Sequence, residues 1–202
     1  MIEERIILQV LAEQREEILG YDPSKWVSRK EESLFELESS LAQVVIGVRR
    51  SGKSTLCHKV LLENGIRYGY VNLDDDRLLG IEAKDLNTVL SCIYQLYGTD
   101  VPCLILDEIQ DVDGWHLFVN RLLRSKMKIF VTGSNAKLLS SELATHLTGR
   151  YNEIRLSTRS HFRSIVHTTE STETASPRKP MPPVRVPLWI ISPMADSRKF
   201  KD

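Results

Sequence analysis

The chain has 202 residues, 42% hydrophobic and 27% charged, with 27 Lys and Arg against 27 Asp and Glu. That length supports one sizeable core and is short for two. Zero net charge removes any bulk electrostatic case for nucleic acid or an anionic membrane surface. No apolar run reaches the roughly 18 residues of a membrane span, and the acidic, helix-patterned amino terminus does not resemble a signal peptide, so the cytoplasm is the expected location. Cys57, Cys92 and Cys103 lack any C-x-x-C spacing, which predicts buried thiols rather than a disulfide framework or a structural zinc site.

In chain order, Ile2, Ile6, Val10 and Leu11 fall on one helical face and Gly20 is placed to end the helix. Ser28 and Glu31 form an S-x-x-E capping box before Leu34, Leu37 and Leu41, which predicts a second helix and a helical extension over 1–40. Short β-rich apolar runs follow at 44–48, 68–73, 103–106 and 129–132, with helix-length stretches at 54–64 and 86–97. Apolar strands alternating with helices indicate an α/β protein whose parallel sheet is covered on both faces.

The first strand runs into Gly47-Val48-Arg49-Arg50-Ser51-Gly52-Lys53-Ser54, a match to G-x-x-x-x-G-K-[ST] at every fixed position, with Thr55 following. Such a loop wraps the phosphates of a nucleotide with backbone N–H groups. It needs glycines where a Cβ would collide, and the next helix aims its positive end at the same charge. Lys53 would meet the β and γ phosphates, and Ser54 would hold Mg²⁺. The apolar run Cys103-Leu104-Ile105-Leu106 ends in Asp107-Glu108. There Asp107 would hold Mg²⁺ through its water shell and Glu108 would polarise the attacking water as general base.

A third strand opens into Thr132-Gly133-Ser134-Asn135. Ser134 or Asn135 would act there as a sensor of the γ-phosphate; the plainer alternative is a turn capping a helix at Lys137. Arg150 would stabilise transition-state charge in its own chain or from a neighbouring copy, with a solvated arginine as the equal alternative. His58, His116, His146, His161 and His167 show no ligand spacing, so no metal beyond Mg²⁺ is expected.

Together, Gly47 to Thr55, Asp107-Glu108-Ile109-Gln110 with Trp115 after it, Thr132-Gly133-Ser134-Asn135, and Ser140-Ser141-Glu142-Leu143-Ala144-Thr145 through Gly149-Arg150-Tyr151 resemble the prokaryotic AAA+-like ATPases that carry a carboxy-terminal domain of unknown function. The resemblance implies a P-loop NTPase core over 41–156, a three-layer sandwich with strand order 5-1-4-3-2, in which 151–156 is strand five beside the P-loop strand. It also implies that Asp74, Asp75 and Asp76 border the site; a solvated turn is the alternative. Trp115 is read as a packing residue.

Beyond residue 156 the match stops. Up to Ile154 there are 18 basic and 23 acidic residues; from Arg155 onward there are 9 and 4, with six of the eight prolines, twelve Ser or Thr and none of the ten glycines. Such a composition predicts an irregular, disordered tail over 157–202. Members of the resembling family continue with an aromatic Pro-Phe-Ser-Phe-x-Glu-Tyr type segment and a second domain. Codons can be chosen for 157–165 so that a shifted frame reads Tyr-Pro-Phe-Ser-Phe-Pro-Glu-Tyr, which makes an out-of-frame translation the expectation for the tail.

The functional expectation is ATP binding and Mg²⁺-dependent hydrolysis coupled to an unknown protein partner. The alternative is a truncated nucleotide-binding module with little turnover, and oligomerisation is left open. No N-K-x-D guanine-reading motif is present. The Asp-Glu pair favours water over a substrate hydroxyl as nucleophile, and no basic stripe interleaved with aromatics supports a nucleic-acid motor.

Overall fold

Strands buried on both faces read as continuous apolar runs, and three such strands form the middle of the sheet. The computed structural model describes residues 2–22, 25–134 and 146–156. The expectations for Asn135, for the motif at 140–145 and for the tail over 157–202 fall outside those residues. Strands β1 (Ala42–Gly47), β2 (Gly69–Asn72), β3 (Cys103–Asp107), β4 (Lys128–Ser134) and β5 (Tyr151–Leu156) pair in the order β2-β3-β4-β1-β5, every pair parallel. Read from the other edge this is 5-1-4-3-2, the order implied by the resemblance. Four α-helices accompany them among the described residues: α1 (Glu4–Leu19), α2 (Lys53–Glu63), α3 (Leu86–Tyr97) and α4 (Trp115–Arg124). None is long and apolar enough to cross a membrane.

Alternation along the strands divides the core in two. Val44, Ile46, Leu104, Leu106, Ile129 and Val131 face the layer of α1, α3 and α4. Val45, Cys103, Ile105, Phe130 and Ile154 face α2, where Phe35 stacks on Phe130 with ring centroids 5.5 Å apart. The result is a three-layer α/β sandwich. Cys57, Cys92 and Cys103 are all buried and free, as expected, and burial pushes the Cys57 thiol well up.

Helix α1 ends at Gly20 as predicted. It also reaches the sheet edge: Gln14 Nε2 donates to the Asn72 carbonyl at 3.0 Å while its Oε1 accepts from the Asn72 amide at 2.9 Å. One side chain thus fills the place of a neighbouring strand at the end of β2.

The second predicted helix is corrected to a single 3₁₀ turn, Lys30–Leu34. The reason is tertiary. Lys59 of α2 donates to Ser28 Oγ at 3.2 Å and to Glu32 Oε2 at 2.7 Å, and pairs with Glu63 at 3.0 Å. Ser28 is therefore not the cap; Arg29 takes that position, its amide donating to Glu32 Oε1 at 2.6 Å. The segment around Ser28 is a strap lying against α2. Helix α4, which the sequence reading did not assign, buries Trp115, Phe118, Val119, Leu122 and Leu123 on one stripe.

Candidate functional site

In open α/β sheets ligands bind beyond the carboxyl ends of strands where the strand order reverses. Strand β1 lies at that point, between β4 and β5, and ends at Gly47. A Cβ on Gly47 would come within 2.8 Å of both the Leu156 carbonyl and Ser51 Oγ, so the loop can fold back against β5 only with glycine there. The chain then turns sharply, with positive φ at Arg50 (62°) and Gly52 (82°), and enters α2 at Lys53. The Ser51 amide donates to the Val48 carbonyl at 3.2 Å. Ser51 Oγ is buried without a hydrogen-bond partner among the described residues, a polar atom available to a ligand in the loop.

The side chain that follows is the electrostatic centre. Lys53 is only 4% exposed, yet its ammonium lies 2.9 Å from Glu108 Oε1 and 3.5 Å from the Val48 carbonyl. Glu108 reaches it from the end of β3 by a left-handed turn, φ 53° and ψ 40°, and its other oxygen accepts from Gln110 Nε2 at 2.9 Å. Asp107, also 4% exposed, is held on both oxygens: Tyr70 OH donates to Oδ2 at 2.9 Å and Thr132 Oγ1 donates to Oδ1. Thr132 Oγ1 in turn accepts from the Glu108 amide at 3.1 Å. Three strands and one loop thereby bring Lys53, Asp107, Glu108, Tyr70 and Thr132 into a single hydrogen-bonded set.

The remaining expected residues scatter around this set. Arg49 is exposed and pairs with Asp74 at 2.5 Å, which sets Asp74 beside the loop. Asp75 caps a short turn by accepting from the Arg77 amide at 3.1 Å. Val48 is exposed, Ser54 is half-buried in the first turn of α2, and Thr55 is exposed. Ser134 ends β4 in register with Gly47. Arg150 is not brought to the cluster. It immediately precedes β5, whose first residue Tyr151 pairs with Ala42 while its last, Leu156, pairs with Gly47. Arg150 therefore lies at the opposite end of the sheet, its backbone roughly 20 Å from the Leu156 end at about 3.3 Å per residue, which corrects the expectation of a role within its own chain. His58 is buried, its Nδ1 is 2.9 Å from Tyr68 OH, and desolvation lowers its pKa to about 3. Among the described residues no group of three or more His, Cys, Asp or Glu could hold a metal ion.

Beside the loop lies a cavity of about 520 Å³, open to solvent and bounded by Lys25, Trp26, Val27 and Arg29 of the strap and by Arg50, Ser51, Gly52, Thr55, Leu56 and Lys59. Arg29 ties its two walls together by donating from Nη1 to the Ser51 carbonyl at 2.8 Å. Sequence reasoning did not single out Tyr70, Arg29 or the strap residues for this place. Tyr70 carried one usable signal, a polar tip on an apolar strand that pairs with the strand ending in Asp107. Arg29 carried none, standing 22 residues from its partner in an irregular segment.

A family model described as an AAA domain matches residues 39–163. An uncharacterized protein of Methanocaldococcus jannaschii is 41% identical over 109 residues, 54% of this chain and 24% of that protein. An uncharacterized protein of Haemophilus influenzae is 36% identical over 143 residues, 64% of this chain and 34% of that protein. The chain thus spans about a quarter and a third of the length of these relatives. Among solved structures, the flagellar accessory protein FlaH from Methanocaldococcus jannaschii is 17% identical, with a TM-score of 0.38 over 64% of this chain and 80% of that one.

Proposed function

The chain belongs to the AAA-domain family, and from that premise we propose that it binds ATP in the 47–55 loop and hydrolyses it in a Mg²⁺-dependent reaction. The observation that carries this is the meeting of a nearly buried ammonium, Lys53, with a carboxylate from 55 positions later, Glu108, at 2.9 Å. An ammonium in that position is a ready counter-charge for phosphate, and a carboxylate beside it is in reach of a water attacking the terminal phosphorus. Backbone amides of the loop and the amino end of α2 add donors for the phosphate oxygens. Ser51 Oγ supplies a further polar atom that no protein group engages among the described residues.

The donor set fits Mg²⁺, since a hydroxyl and a carboxylate are hard oxygen ligands and few protein ligands are needed when phosphates complete the shell. Ser54 and Asp107 would hold the ion, which when bound supplies positive charge to the phosphate oxygens. Glu108 takes the proton from water, and Lys53 follows the charge that develops on the phosphoryl group. The cavity formed by the strap and the first turn of α2 offers Trp26, Val27 and Leu56 to the base and sugar. Ser134, at the end of β4 beside Gly47, and Asn135, next in the chain, are proposed to contact the γ-phosphate. Coupling to an unknown protein partner is proposed on the family resemblance alone.

Lys53→Ala tests the site. Titration calorimetry with ATP is expected to show binding to the wild type and at least a tenfold loss in the variant; equal affinities would overturn the assignment. Phosphate release with and without Mg²⁺ tests turnover, and ATP binding without phosphate release would leave a nucleotide-binding module in place of an ATPase.

A further inference from the structure

We propose that Thr132 is the positioning residue for both carboxylates of the site, with Tyr70 as a second tether on Asp107; the proposal rests on the nucleotide reading above. Thr132 is fully buried on β4. Its hydroxyl stands between a carboxylate oxygen and a backbone N–H, which can only donate, so Thr132 accepts from the Glu108 amide at 3.1 Å and gives its own proton to Asp107 Oδ1.

The need for such a residue comes from strand geometry. Adjacent side chains on a strand point to opposite faces, so Asp107 and Glu108 on a regular strand would diverge. The left-handed conformation of Glu108, φ 53° and ψ 40°, breaks that alternation and lets its carboxylate reach Lys53 while Asp107 stays among the buried strands. A non-glycine residue keeps that conformation only where surrounding contacts hold it. The Thr132 hydroxyl holds its amide, and Lys53 and Gln110 hold its carboxylate. Asp107 is fixed from two sides, one oxygen on Thr132 and the other 2.9 Å from Tyr70 OH. The Tyr70 phenol O–H donates to that oxygen. Two hydrogen bonds leave the other lone pairs of Asp107 in set directions for a cation's shell.

The test compares Thr132→Val, Thr132→Ser and Tyr70→Phe in the full chain. ATP affinity is measured by calorimetry in EDTA and over a Mg²⁺ series, kcat and KM by phosphate release, and melting temperature alongside. Thr132→Val is expected to bind ATP in EDTA within about twofold of wild type, because the 47–55 loop is untouched. Its Mg²⁺ requirement rises and its kcat falls, each on the order of tenfold, with Thr132→Ser restoring both. Tyr70→Phe, which loses a contact to Asp107 alone, raises the Mg²⁺ requirement with a smaller loss of kcat. A merely structural threonine would lower the melting temperature without moving the Mg²⁺ dependence. A Thr132→Val protein with wild-type Mg²⁺ dependence and kcat, or a Thr132→Ser protein as impaired as the valine variant, overturns the proposal. Wild-type protein that binds no ATP refutes the nucleotide reading instead and removes the proposal with it.

Discussion

Replacing Glu108 by Gln takes one negative charge away from a nearly buried ammonium and keeps the shape of the side chain, including an oxygen that can still accept from Lys53. Lys53 lies 2.9 Å from that carboxylate and 3.5 Å from the Val48 carbonyl. Glu108 is 20% exposed, so water screens the pair in part. Loss of the charge is then expected to cost the protein about 1–2 kcal/mol in the absence of nucleotide. In the proposed site the γ-phosphate of ATP would compete with the Glu108 carboxylate for the same ammonium, so an equal amount should return as tighter ATP binding, about 5- to 30-fold. Hydrolysis should fall to background, because the base is gone while Asp107 and its two tethers remain. Urea denaturation without nucleotide, titration calorimetry with ATP and a phosphate-release assay read the three effects. Unchanged stability together with unchanged or weaker ATP affinity would refute the competition, and wild-type turnover would refute the role of Glu108 as base.

Three further outcomes follow from the packing. His58 titrates near 3 in the fold and near 6.5 when unfolded. Between those values the unfolded chain therefore binds more protons, and stability should drop with falling pH by up to about 1.4 kcal/mol per unit. Urea midpoints from pH 7 to 4 should show this slope and a shallower one in His58→Phe; equal slopes count against it. Gly47→Ala places a methyl within 2.8 Å of the Leu156 carbonyl and Ser51 Oγ. Overpacking of this kind costs about 1–3 kcal/mol, and melting temperature and ATP affinity should fall together; a variant that keeps both contradicts the close approach. Gln14→Leu strips the Asn72 N–H and carbonyl of their partner, at about 1–3 kcal/mol per group left unsatisfied. A loss below about 0.5 kcal/mol in urea denaturation would mean that this bracket adds nothing.

The parts of the fold that were legible in the sequence are those whose causes are local. The central strands announce themselves because burial on both faces demands unbroken apolar runs, and the 47–55 loop because glycines are needed at fixed offsets. Helix α4 displayed its stripe openly, yet Trp115 was read as an isolated packing residue and the neighbours at 118, 119, 122 and 123 were not joined to it. The helix expected from Ser28 failed for a different reason: its capping signal is real, but Lys59, 31 residues later, takes Ser28 and Glu32 for itself. Tyr70 meets Asp107 from 37 residues away, and no periodicity encodes such a meeting. The place of Arg150 could have been worked out. In a parallel sheet the residue before a strand lies at the end away from a site built on strand carboxyl termini, and Arg150 comes before Tyr151.

The strap before β1 changes what a minimal nucleotide-binding unit means for this protein. The family match begins at residue 39, but one wall of the cavity is made by Lys25, Trp26, Val27 and Arg29. A fragment cut at the recognised boundary would carry every residue of the phosphate loop and lack the surface against which a base could rest. It would also lose the Arg29 hydrogen bond to the Ser51 carbonyl, so the loop itself would be released on that side. The border that sequence recognition draws around the family therefore passes through the proposed binding site.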